Sequence, residues 1–246
     1  MRSSNLMFEC PSPAERYSGI GWSVTIFLLV PFLLPLFYYF SPDDTTVAAW
    51  MDIVYHAINF LASLFIFRKY LVDAWLIVQV ETRKILTTAG ICAAAMLVFP
   101  VTYLILYAAT SSPALALASQ ACLPLAEIEL YMTAPALFSY NMVGGAVVLV
   151  LLVPVTICCL FYGTVFAPAS CSRPWLGYVL LPLVVGFPRI CNLLYFSPTE
   201  ELILFLAQLP LHFIACWGYH KTDTIWTPIF AFIAANLVSC IFLLPL

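Results

Sequence analysis

Along this chain the apolar positions come in long blocks rather than in alternation with polar ones, and short polar turns separate the blocks. A helix needs about 20 apolar residues to cross a bilayer core. Blocks near that length run over 19–40, 46–67, 85–107, 142–166, 175–196, 201–218 and 225–244. Pro31 and Pro35 kink the first, and Ser41-Pro42-Asp43-Asp44 closes it as an acidic turn. Arg68-Lys69 ends the second. Between 70 and 84, Asp73, Trp75, Glu81, Arg83 and Lys84 interleave with apolar residues, the pattern of a helix lying in the membrane interface. The stretch 113–140 is apolar enough to span, yet holds Pro113, Pro124, Pro135, Glu127 and Glu129. The pattern predicts an all-α, polytopic membrane bundle. Its single membrane domain comprises a polar lead at 1–18, N-terminal membrane helices at 19–140 and core helices at 141–246.

Composition sharpens this reading. Hydrophobic residues make up 64% of the chain and charged residues 9%, with a mean hydropathy of +1.03, which leaves no room for a separate soluble domain. A net charge of −3 without a basic cluster argues against nucleic acid as a partner. The nine cysteines show neither CxxC nor Cys/His zinc spacing, so they read as small buried hydrophobes, and no metal or cofactor is expected. The first apolar block is too long for a signal peptide and no small-residue cleavage site follows, so it is expected to stay as an anchor.

Arg2, Arg16, Arg68, Lys69, Arg83 and Lys84 place the N-terminus and the second connection in the cytoplasm. Two arrangements stay open beyond that point. If 113–140 crosses, Arg173 and Lys221 fall outside. If it is re-entrant, both fall inside and Glu200-Glu201 falls outside, so charge bias favours seven crossings.

Polar residues inside the blocks are the candidates for chemistry. Asp52, His56 and Asn59 sit at i, i+4 and i+7, on one face of the second span. That face suits either an ion or proton path or hydrogen bonding between helices. His212 follows Pro210 in an apolar helix and reads as a satisfied core or interfacial histidine. Arg189 stands out, because a charge near mid-membrane costs about 2.5–3.5 kcal/mol on insertion scales and must find a partner, a water cavity or the interface. Glu127 or Glu129 would be such a partner, in a structural pair.

The most specific stretch is Tyr219-His-Lys-Thr-Asp-Thr-Ile-Trp226-Thr-Pro228-Ile-Phe-Ala-Phe232-Ile-Ala-Ala-Asn236. It resembles the last motif of the CAAX protease and bacteriocin-processing (CPBP) family of intramembrane proteases, Tyr-x-Arg/Lys-Thr-Gly-Ser-Leu/Ile-Trp-x-Pro-Ile-x-x-His-x-x-x-Asn. Tyr219, Lys221, Thr222, Ile225, Trp226, Pro228, Ile229 and Asn236 match it. Asp223, Thr224 and Phe232 depart from it, the last where the family carries histidine. Upstream, Ile157-Cys158-Cys159-Leu160-Phe161-Tyr162-Gly163 lines up with Glu-Glu-x-x-Phe-Arg-Gly, keeping only Phe161 and Gly163. Arg173-Pro174-Trp175-Leu176 opens the helix of the remaining motif, which puts Val185 and Arg189 at its phenylalanine and histidine.

The resemblance implies a CPBP-like bundle of about eight transmembrane helices with its site at Cys158, Tyr162, Arg189, Phe232 and Asn236. It also implies that Arg189 fills the old cavity, with Tyr162, Asn192 or Asn236 as hydrogen-bond partners, where it would bind a carboxylate or a lipid phosphate. In the family a glutamate activates water beside histidines. Here each such group is replaced, and one lost acid or base is worth roughly 10²–10⁴ in rate. The resemblance therefore implies a catalytically inactive member that acts as a scaffold, regulator or binder of a membrane partner, lipid or lipidated peptide. One alternative is an active endopeptidase of prenylated CAAX-type or other membrane peptides, rearranged around Glu127 or Glu129. A third is a small transporter built on Asp52 and His56.

Overall fold

The computed structural model describes residues 10–26, 45–122, 146–192 and 197–242. Among the described residues there are eight helices and no strand. They are α1 (Pro13–Val24), α2 (Thr45–Ile66), α3 (Arg68–Thr110), α4 (Pro113–Cys122), α5 (Val148–Ser172), α6 (Pro174–Asn192), α7 (Pro198–Thr222) and α8 (Trp226–Phe242). Three of them, α3, α5 and α7, are long and apolar enough to cross a membrane.

Two helices start with the same device. Ser12-Pro13-Ala14-Glu15 opens α1 and Ser197-Pro198-Thr199-Glu200 opens α7, each a capping box with proline in its first turn. In α1 the Ser12 N–H donates to Glu15 Oε2 at 2.7 Å and the Glu15 N–H to Ser12 Oγ at 3.3 Å. Glu15 also accepts from the Tyr70 N–H at 3.0 Å, which ties α1 to the first turn of α3. Burial pushes the Glu15 carboxyl up, but the Ser12 and Tyr70 hydrogen bonds and the Lys69 charge outweigh it and hold the pKa below its ordinary value. A depressed carboxylate stabilises the fold at neutral pH and loses that contribution as pH falls through its folded value. We expect α1 to lose amide-exchange protection as the pH falls below the ordinary glutamate range. Glu15→Gln should remove that acid limb, and an unchanged limb in the variant would show that another group sets it.

The apolar blocks at 85–107 and the interfacial stretch at 70–84 are one helix in space. α3 is broken within its length at Glu81, whose φ of −113° and ψ of 29° are not helical. The arm before the break docks on the turn between α7 and α8. Tyr70 and Tyr219 share a hydroxyl–hydroxyl bond at 2.9 Å, Trp226 Nε1 donates to the Leu71 carbonyl at 3.1 Å, and the Thr224 hydroxyl donates to the Ala74 carbonyl at 3.4 Å. Thr222 and Thr227 close the turn from inside, hydroxyl to hydroxyl at 2.6 Å. Matched residues of the last motif thus anchor a neighbouring helix.

These contacts gather the starts of α1, α3, α6 and α8 and the ends of α2, α5 and α7 at one end of the bundle. Arg16, Arg68, Lys69, Arg173 and Lys221 lie there. Cys10 and Cys171 lie there too, joined as a disulfide, which corrects the reading of all nine cysteines as isolated hydrophobes. Cys92, Cys158, Cys159 and Cys216 are buried thiols, as that reading has it. Near the same end the buried Phe67 ring wedges between helices. A Cβ on Gly163 would come within 2.9 Å of Phe67 Cε1, and one on Gly19 would meet the same ring closer still. Only glycine lets the backbones of α1 and α5 approach Phe67 this way.

α5 is wound unevenly. Val148–Leu152 and Cys158–Phe166 are π-helical, with α-helix between and after them. Pro154 marks the first irregularity. The Val153 N–H reaches back five residues to the Val148 carbonyl. In the same register the Leu149 carbonyl would need the N–H of residue 154, and proline has none.

Candidate functional site

The five positions marked by the motifs do not form one constellation. Tyr162 and Phe232 come together, and the residue between them is His212 from α7. The Tyr162 hydroxyl lies 3.0 Å from His212 Nδ1 and 3.4 Å from the His212 carbonyl oxygen. In one tautomer the hydroxyl donates to Nδ1. In the other, Nδ1–H donates to the tyrosine oxygen, whose own proton goes to the carbonyl. Both arrangements satisfy the buried polar atoms. Around His212 the Phe161 ring lies at 5.8 Å, Phe232 at 5.7 Å and Tyr162 at 6.2 Å, centroid to centroid. His212 is 1% exposed and Tyr162 is fully enclosed.

The aromatic packing continues toward the basic end. Tyr162 meets Phe166 edge-on at 5.9 Å, Phe166 meets Tyr219 at 5.3 Å, and Tyr219 bonds Tyr70. Edge-to-face contacts of this kind contribute about 0.5–1.5 kcal/mol each beyond their area. The column joins α3, α5 and α7 through the centre of the molecule.

Asn236 lies apart from this cluster. Its Nδ2 donates to the Leu149 carbonyl at 2.6 Å, the carbonyl that Pro154 leaves without its π-register partner. The side chain therefore mends a backbone defect in α5. Its Oδ1 is buried without a hydrogen-bond partner among the described residues. Phe232 and Asn236 share a face of α8, as their spacing requires, yet serve different neighbours.

Arg189 is placed elsewhere again. It sits in the last turn of α6, and its guanidinium lies 3.6 Å from the Glu201 carboxylate in the first turn of α7. The side chains are 11% and 3% exposed. Tyr162 and Asn236 are not its partners, and the expected pocket of Arg189 with those two is not formed. Each charge also suits its helix end, cation at a C-terminus and carboxylate at an N-terminus. Cys158 is fully buried in the core. Glu127 and Glu129 lie outside the described residues, as does the side chain of Asn192.

Chemically the cluster holds one acid/base pair, Tyr162–His212, packed among rings. No group of three or more metal-ligating side chains occurs among the described residues. Sequence reasoning marked Tyr162 and Phe232 but not their shared contact with His212. The available signal was a lone imidazole in an otherwise apolar stretch, which gives no hint of which helix it faces. No family model, curated protein or solved structure matches this chain.

Proposed function

We propose that this chain is a multi-pass membrane protein on a frame like that of the CPBP intramembrane proteases, without their proteolysis. It acts as a scaffold or regulator for a transmembrane or lipidated partner within the lipid bilayer. The observation that carries this reading is a filled interior. Cys158 and Phe232 stand where the resemblance calls for a glutamate and a histidine, and rings from Phe161, Tyr162 and His212 occupy the space beside them. A hydrolase needs a water-accessible base there. Partner binding accordingly falls to the outer faces of the bundle rather than to a cavity around Arg189.

The test is direct. Purified protein in nanodiscs is incubated with prenylated and unprenylated CAAX-type peptides, and products are read by mass spectrometry beside His212→Ala and Asn236→Ala variants. We expect no product above the variants. Cleavage that disappears in His212→Ala would overturn the proposal and make Tyr162–His212 the acid/base pair of an active peptidase.

Within this reading the basic end faces the cytoplasm and the chain crosses seven times. α3 leaves the basic end, passing α7 with Cys92 Sγ at 3.7 Å from the Ile214 carbonyl, and α5 returns to it. Thr110 and Val148 thus lie at the same, opposite end of the bundle, which supports the seven-crossing arrangement over the eight-crossing one. The Cys10–Cys171 pair tests the orientation independently, since disulfides persist in oxidising compartments and are reduced in the cytosol. If the basic end faces the cytoplasm, the pair is open to reduction in the cell, and reducing a sample before alkylation should add no maleimide–polyethylene glycol adducts to those taken up on direct lysis in alkylant. Two further adducts after reduction would place the basic end on the oxidising side.

A further inference from the structure

We infer that the polar face of α2 is a hydrated inlet that ends in a water-binding site between α2 and α5, formed by Asn59, Ser63 and Thr156. The two helices run side by side in fixed register. Ile53 packs on Val148, Leu149 and Val153, and further along Phe67 lies against Gly163. Asn59 and Ser63 therefore lie level with the stretch from Val155 to Leu160, where Thr156 is the polar residue of α5. Asn59 is 4%, Ser63 0% and Thr156 8% exposed.

The hydroxyls at this level behave unlike most others among the described residues; Ser170 Oγ, near the far end of α5, is the other buried hydroxyl there without a partner. Ser23, Thr25, Thr82, Thr102, Thr110, Thr164, Thr222 and Ser239 each return their hydroxyl to the carbonyl four residues back, the usual way to satisfy such a group in an apolar helix. Ser63 Oγ and Thr156 Oγ1 do not, and among the described residues neither has a hydrogen-bond partner. Two buried hydroxyls with no partner, beside a buried amide, suit a ligand that donates and accepts at once. Water does both and needs two to four such partners. All three groups are neutral, so they offer no charge to hold a divalent cation or an organic anion.

The site has a route out. His56, half-buried, continues the same face three residues nearer the start of α2. Phe67, fully buried, closes the opposite direction. An inlet open at one end and sealed at the other brings bulk water to His56 inside an otherwise apolar bundle, a property separate from the proposed scaffold role.

The experiment uses Ser63→Cys, Thr156→Cys and, as an equally buried position whose hydroxyl is already bonded, Ser239→Cys. Each full-length variant in membranes is treated with a small charged methanethiosulfonate, and labelling is resolved by peptide mass spectrometry. We expect positions 63 and 156 to react at least about tenfold faster than 239, because reagent follows water. Equal, slow labelling at all three would overturn the inference. If a variant fails to fold, the unsubstituted chain is footprinted by hydroxyl radicals from water radiolysis. Oxidation of the buried Cys158 and Cys159 beside the site, exceeding that of the buried Cys216, supports it, and oxidation no greater than at Cys216 refutes it.

Discussion

Replacing Arg189 with alanine is expected to destabilise the protein by about 3–5 kcal/mol, the cost of leaving one member of a buried ion pair without its counter-charge. The argument rests on burial rather than on attraction. Glu201 is 3% exposed and its carboxylate faces the Arg189 guanidinium at 3.6 Å. Taking the cation away leaves the buried carboxylate without that counter-charge. Adding Glu201→Gln to Arg189→Ala should therefore recover part of the loss, since an amide carries no charge to strand. Thermal unfolding in detergent, followed by helix signal, measures both. If Arg189→Ala and the double variant melt together, the pair contributes through packing of the arginine stem and the electrostatic account fails.

The second large effect lies at Asn236. Asn236→Ala should cost about 1–3 kcal/mol, because it orphans a buried carbonyl. The cause is Pro154, which cannot donate to Leu149, so the two positions must be coupled. In a Pro154→Ala background an N–H becomes available to that carbonyl, and the cost of Asn236→Ala should shrink. A double-mutant cycle gives the coupling directly, expected at about 1 kcal/mol or more for groups that share one acceptor. Strict additivity would show that Asn236 is held for some other reason.

Arg189 and Asn236 also show how far the sequence could be read. The apolar blocks announce helices because each is long and its ends carry proline, serine or charge, and their described residues are helical. The turn between α7 and α8 was legible as a polar break between apolar runs, and its residues act locally, where Thr222 meets Thr227 and Trp226 reaches the adjoining arm of α3. Arg189 was visible as a charge that needed a partner. Its partner was not visible, because Glu201 belongs to the next helix and reads in sequence as part of an acidic helix start. Asn236 looked like a site residue, and the proline that explains it stands on another helix. His212 shows the same limit, since its contacts with Tyr162 and Phe232 join three helices. Phase was the other missing quantity. In a block where nearly every residue is apolar, hydrophobic periodicity carries no information about winding.

That winding bears on how freely the chain can change in length. The nine π-wound residues Cys158–Phe166 hold one more residue in each hydrogen-bonded loop than the flanking α-helix does. Dropping a single residue there lets the remainder relax to α-helical bonding while Ala167 onward keeps its place. In α7 the same deletion would rotate everything beyond it by roughly 100° and swing Tyr219 away from Tyr70. Natural variants of this chain should therefore show gaps of one residue in the middle of α5 more readily than in its neighbours, making that stretch the molecule's expansion joint.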